Sequence, residues 1–167
     1  MEVSIDQRMR AHWQKSGAEP RAGAGREEIE ACEQRIGRAL PPDVASFYRG
    51  VNGSDQTDSD LFAAWPLAEI GSVAQVVTPF QGIPNYRDIT QFLPEAGDYF
   101  AFADCMIWSQ VLAVRVSLAG KPTQVAWLSG SSYAIVAPTF VEFWERYLAD
   151  PPLVLWPEKS AIKSPAG

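Results

Sequence analysis

The sequence predicts an α+β domain with N-terminal helices, an antiparallel β-sheet meander and a C-terminal amphipathic helix packed on the sheet. Three observations predict it. Apolar residues recur at helical spacing from Ile5 to Val51, short β-rich runs separated by turn residues fill positions 99–137, and one strongly amphipathic segment follows them.

Ser4-x-x-Gln7 has the form of a capping box. Ile5, Met9, His12 and Trp13 then follow at helical spacing, which predicts a first helix ending near Ser16-Gly17. Residues 18–25 (AEPRAGAG) form a loop. Glu27 and Glu28 suit the positive end of a second helix; Ile29, Cys32 and Ile36 give its stripe, and Gly37 supplies a left-handed cap. Leu40-Pro41-Pro42-Asp43 starts a third helix with proline in its first turn, and Val44, Phe47, Tyr48 and Val51 form its stripe before Asn52-Gly53. Ser54 to Asp60 is a polar, acidic loop. Leu61 to Trp65 is predicted as a short strand, Val73 to Thr78 as a further one, and Thr78 to Pro94 as mostly irregular connection.

Tyr99–Ala103, Val111–Val116, Gln124–Leu128 and Tyr133–Ala137 are the runs of the meander, separated by Asp104-Cys105, Gly120-Lys121-Pro122 and Ser129-Gly130-Ser131. Leu112, Val114 and Val116 share one face of their strand and Val111, Ala113 and Arg115 the other, so one face belongs to a core. Thr139-x-x-Glu142 is a second capping box. It leads a helix striped by Phe140, Phe143, Trp144, Tyr147 and Leu148, which Pro151-Pro152 ends. The domain is expected to span 1–156, with 157–167 as a flexible tail.

At 167 residues the chain suits one domain, long enough to bury roughly 70% of its unfolded surface. The N-terminus has no apolar signal region, and the least polar long stretch, Phe62 to Phe80, is interrupted by Pro66, Glu69, Gly71 and Gln75. A cytoplasmic protein is expected. Two cysteines, one on a helix stripe and one in a strand connection, predict reduced, semi-buried thiols.

The formal charge of −6 is concentrated: residues 50–114 carry eight acids against one base, Arg87, while the flanking segments are close to neutral. A charged partner meeting this region is expected to be basic, and nucleic acid is disfavoured because phosphates require a basic footprint.

The punctuation of residues 27–53 resembles the SUKH superfamily. Its members carry an acidic helix ending in Leu/Ile-Gly, then Leu-Pro, a short helix with an aromatic pair, and Asn-Gly. The corresponding residues here are Ile36-Gly37, Leu40-Pro41, Phe47-Tyr48 and Asn52-Gly53. Trp13 and Ser16-Gly17-Ala18 are similar to residues that precede this helix in many bacterial members. Where many relatives continue Asn-Gly with glycine or tryptophan, Ser54-Asp55 follow here. The resemblance implies a curved antiparallel sheet with the last helix docked on it. It also implies an immunity protein that neutralises a cognate polymorphic toxin, often a nuclease, by binding it. The alternative it implies is a regulatory scaffold, since relatives include a fungal regulator of cell-wall synthesis.

The catalytic inventory is thin. One histidine and two isolated cysteines fall short of the usual zinc ligand set, and no metal or other cofactor is expected. Cys105 with His12, or Ser131, are the only nucleophile candidates; no G-x-S-x-G elbow supports the serine, and no motif links the cysteine to the histidine. Gly23-Ala24-Gly25 lacks the remainder of a phosphate loop. Glu95, Asp98 and Asp104 could serve a hydrolase or hold Mg²⁺ only if folding paired them at about 5–9 Å. A non-catalytic binding protein is therefore expected. Its candidate contact residues are Asp55, Asp58, Asp60, Glu95, Asp98 and Asp104 as charges, with Trp65 and Trp108 as aromatic anchors.

Overall fold

A computed structural model describes residues 2–165; Met1 and the last two residues of the expected tail, Ala166 and Gly167, lie outside the described residues. Three helices open the chain: α1 (Ile5–Lys15), α2 (Arg26–Ile36) and α3 (Pro42–Gly50). Ser4 stands at the α1 N-cap, but its hydroxyl makes no capping bond, so this box is realised in position only. Gly37 ends α2 at φ 73°, where its amide donates to the Glu33 carbonyl, and Pro42 occupies the first turn of α3.

Next come β1 (Phe62–Ala64), a 3₁₀ turn (Leu67–Glu69), β2 (Gly71–Ser72) and a short helix, α4 (Ile89–Phe92). A second 3₁₀ turn, Ala96–Asp98, leads into the meander: β3 (Tyr99–Cys105), β4 (Gln110–Arg115), β5 (Val125–Ser129) and β6 (Ser132–Ala137). Helix α5 (Phe140–Ala149) and a short α6 (Pro152–Leu155) follow. All strand pairs are antiparallel, in the order β1-β3-β4-β5-β6, with β2 joining β1 along the same edge of β3. The sheet is open. At α5 the capping box closes as expected, with the Thr139 hydroxyl accepting from the Glu142 amide at 3.1 Å.

Both faces of the sheet are covered. On one face Phe102, Leu112, Val114 and Val125 pack with α5 (Phe140, Phe143, Trp144, Tyr147) and with Phe47, Tyr48, Met9 and Trp13 from the opening helices. On the other face Tyr99, Ala101, Val111, Ala113, Ala126 and Leu128 pack under Val73, Val77, Tyr86, Ile89 and Leu93. The sequence identified the first core. It missed the second, because the segment 73–93 that covers it lacks a long periodic stripe.

Val73–Thr78, expected as a strand, is a wide helical turn over Val73–Val77, with the Ser72 hydroxyl accepting from the Gln75 amide. Helical spacing puts Val73 and Val77 together on the second core, and this outweighs the strand preference of β-branched residues. The Asp104-Cys105 pair, expected as a connection, belongs to β3, and the turn falls at Met106–Ser109. From Pro157 the chain, expected to trail away, follows β6: Tyr133 and Lys163 exchange two backbone hydrogen bonds at 3.0 and 2.8 Å. Among the described residues no helix is long and apolar enough to cross a membrane.

Candidate protein-binding site

The expected contact residues fall in three places, and one of these is a cleft. Asn52-Gly53 sets it up. The Asn52 side chain accepts from the Leu67 amide at 2.8 Å and donates to Glu28 at 2.9 Å, which ties the end of α3 to the chain after β1 and to α2. Gly53 sits at φ +78°, where a Cβ would lie 2.6 Å from the Ala64 carbonyl oxygen, so the approach requires glycine. Arg35 of α2 donates to the carbonyls of Leu67 and Ile70 at 2.5 and 2.7 Å. These contacts fix the strand end carrying Trp65 and the turn carrying Glu69.

A β-bulge between Ala101 and Ala103 places the remaining carboxylate. Phe100 and Phe102 face the helix-side core, and unbroken alternation would send Asp104 the same way. With Phe102 as the extra residue, Ala103 and Cys105 take that face and Asp104 turns to the opposite one. There Asp104 Oδ2 accepts from the Trp65 indole at 2.7 Å. The Trp65 amide in turn donates to the Phe102 carbonyl at 2.8 Å.

Trp108 completes the wall. It stacks on Trp65 at 5.3 Å between ring centroids and on Phe80 at 4.8 Å, making a ladder of three near-parallel rings. Its loop has an unusual backbone: Met106, Ile107 and Trp108 all have positive φ, at 53°, 52° and 65°. Such a run costs about 1–2 kcal/mol per residue relative to ordinary backbone, and the surrounding structure holds it. Tyr86 donates to the Trp108 carbonyl at 2.7 Å, the Ser109 hydroxyl donates to the Met106 carbonyl and the Ser129 hydroxyl to the Ser109 carbonyl, each at 2.9 Å. The result presents Ile107, 87% exposed, at the tip.

The cleft between these parts has a volume of about 320 Å³ and is lined by Arg21, Asp55, Trp65, Glu69, Asp104 and Trp108 among others. Arg21 pairs with Asp55 at 2.8 Å. Burial, followed by smaller effects that include the charge of Glu69, holds the Asp104 carboxyl above the ordinary carboxylate value, although bonds from Trp65 and the Trp108 amide oppose the rise.

Asp58 is a correction to the expected contact residues. It is 3% exposed, its Oδ1 accepts from the amides of Asp60 and Phe62 at 2.8 and 3.2 Å, and its Oδ2 accepts from the Tyr147 hydroxyl. It closes the acidic loop onto α5 and has no face left for a partner. Trp65, at 6% exposure, is likewise a wall of the cleft rather than a projecting anchor, because its indole N–H is committed to Asp104.

Asp60 lies beside Asp58 and His12, and these three can bring one ligand atom each within 4.8 Å of one another. The Asp58 oxygens already hold two amides and a phenol, which makes Asp58 the hub of this loop, while His12 Nε2 has no hydrogen-bond partner among the described residues. Burial and then the charge of Asp58 raise the Asp60 carboxyl.

Glu95 and Asp98 sit elsewhere, before β3. Asp98 pairs with Arg38 at 2.6 Å, and Glu95 with Lys121 at 2.5 Å and Arg115 at 3.3 Å. The hydrogen bond from Lys121 holds the Glu95 carboxyl below its ordinary value.

Sequence reasoning missed Glu69, Arg21 and Ile107. Arg21 comes from the loop before α2 and Glu69 from the 3₁₀ turn after β1, and only folding brings them to one cleft. The Met-Ile-Trp run between two strands was a signal for Ile107, being three large apolar residues where a turn must be.

A search among curated proteins found no match. A family model described as SMI1 / KNR4 family (SUKH-1) matches residues 23–146, a span that includes the Asn52-Gly53 pair, both cleft tryptophans, Glu69 and Asp104. With about three quarters of its length matched in this way, the chain belongs to the SMI1 / KNR4 family (SUKH-1).

Proposed function

We propose that this chain is a non-catalytic protein-binding domain, specifically a cytoplasmic immunity protein that neutralises a cognate toxin domain by binding and covering it. The observation that carries this reading is the cleft face. Stacked tryptophans and carboxylates line the cleft, and the exposed apolar hairpin tip at Ile107 is next to Trp108 in the chain, so aromatic and polar surface adjoin as they do at protein interfaces.

The side-chain chemistry also favours binding over catalysis. Burial, aided by nearby Asp58, pushes the Cys105 thiol up to about 12, and burial raises Cys32 as well. An activated cysteine nucleophile needs the opposite shift.

Co-expression with the product of the adjacent gene, followed by purification, tests the proposal. We expect a one-to-one complex in which the partner's toxicity or nuclease activity is abolished. A regulatory scaffold of the same fold would use the same face but leave its partner's activity intact. Failure to form any complex with neighbouring gene products would contradict the immunity reading.

A further inference from the structure

We infer that the Trp65–Trp108 cleft is a receptor for one arginine side chain of a protein partner, held between Glu69 and Asp104. This rests on the protein-binding reading and adds the chemistry of the ligand.

Two carboxylates face the same cleft, close enough for the charge of Glu69 to act on Asp104. Among the described residues neither has a cation within ion-pair distance. The one cation lining the cleft, Arg21, is taken by Asp55. This contrasts with Glu95 and Asp98, whose charges are answered by Arg115, Lys121 and Arg38. An incoming cation would relieve the repulsion, and the indole walls beside it lower the local dielectric and strengthen the attraction.

Size and shape narrow the ligand. About 320 Å³ is at the small end of ligand cavities, enough for a side chain. Phosphate-bearing ligands would meet two like charges. The faces of Trp108 are taken by Trp65 and Phe80, so the choice of cation rests on the carboxylates: a planar guanidinium can reach two of them at once through its fork of donors, whereas an ammonium is a strongly hydrated point charge. The exposed Ile107 beside the cleft gives the flanking residues of a partner an apolar contact.

The test uses the full chain, ¹⁵N-labelled, titrated with N-acetyl-argininamide while the indole N–H signals of Trp65 and Trp108 are followed. We expect saturable shifts with Kd on the order of millimolar, the range a ligand of that size reaches. N-acetyl-lysinamide should bind several-fold more weakly and N-acetyl-leucinamide should give no saturable shift. Glu69→Gln, at an exposed position that does not endanger folding, should weaken arginine binding about tenfold, the loss of one charged hydrogen bond. Asp104→Asn, which keeps an acceptor for the Trp65 indole, should do likewise. Equal shifts with the leucine probe, unchanged affinity in Glu69→Gln, or silent indoles about tenfold above that concentration range would each overturn the inference. If a co-expressed partner still bound Glu69→Gln with full affinity while the indoles stayed silent, the arginine site would fall and the protein-binding reading would stand. If the indoles shifted but no protein partner formed a complex, the site would stand and that reading would fall.

Discussion

Asp55 and Asp58 are three positions apart in one acidic loop, yet their circumstances are opposite. Asp55 is exposed and holds Arg21 across a surface ion pair, whereas Asp58 is buried and carries two amides and the Tyr147 hydroxyl. Removing Asp58 leaves three donors without their acceptor, so Asp58→Ala should cost about 3 kcal/mol, roughly 6–12 °C in Tm for a chain of this size. Asp55→Ala should stay within about 1 kcal/mol. Thermal unfolding of the two variants checks this, and equal losses would contradict it. Asp104 supplies a pH dependence. Its carboxyl is held above 3.8, chiefly by burial, with Glu69 as the like charge, the Tyr86 phenol nearby, and Arg21 already paired to Asp55. A cation binds the carboxylate form, so arginine binding should be full at neutral pH. It should weaken as the pH falls through that raised value, sooner than for an ordinary exposed aspartate. The same shift makes the contribution of Asp104 to folding stability fall as the pH rises through that window. Titration with N-acetyl-argininamide at neutral and mildly acidic pH measures the binding loss, and pH-independent affinity would contradict it.

The β3–β4 turn and the helix caps show what local sequence can and cannot reveal. Three successive left-handed residues without glycine, one of them β-branched, are energetically unfavourable, and they place Ile107 in solvent beside the cleft. Ile107→Gly should therefore stabilise the isolated domain by about 1 kcal/mol, since relief of the left-handed strain exceeds the added chain entropy. It should also quicken dissociation of a bound partner. A lower Tm for this variant would contradict this account of the loop. Both capping boxes were legible in the sequence, but only Thr139 makes the bond, so Thr139→Ala should cost about 1 kcal/mol and Ser4→Ala distinctly less. Comparison of the two denaturation midpoints tests that difference. The strands of the meander were legible within a residue or two because alternation and turn residues agree there. The Phe102 bulge was not, because Phe-Ala-Phe-Ala reads as regular alternation; the face to which Asp104 turns, and with it the cleft, was hidden for that reason.

Across the whole molecule, folding redistributes the charge that the chain concentrates in its middle. Arg21, Arg38, Arg115 and Lys121 come from the near-neutral flanking segments to meet Asp55, Asp98 and Glu95, and Asp58 turns inward. Segment charge foretold a broad acidic surface, and what remains at the cleft is the pair Glu69 and Asp104. The Asn52-Gly53 motif was legible as a family resemblance, and its physical role, pinning the chain around Trp65 and Leu67, required coordinates. The same is true of the second core, built from a segment of scattered apolar residues. The chain after Pro157 adds backbone pairing to the edge of β6, so truncation after Trp156 should expose that edge and promote self-association, visible by size-exclusion chromatography. Under the proposed function the chain holds a protein partner at the Trp65–Trp108 cleft. The most direct test is growth of cells expressing a candidate cognate toxin together with wild type, Glu69→Gln/Ile107→Gly, or Glu30→Gln, an exposed change on α2 away from the cleft. We expect rescue by wild type and Glu30→Gln and loss of rescue by the cleft variant at unchanged protein level; full rescue by the cleft variant would contradict the claim.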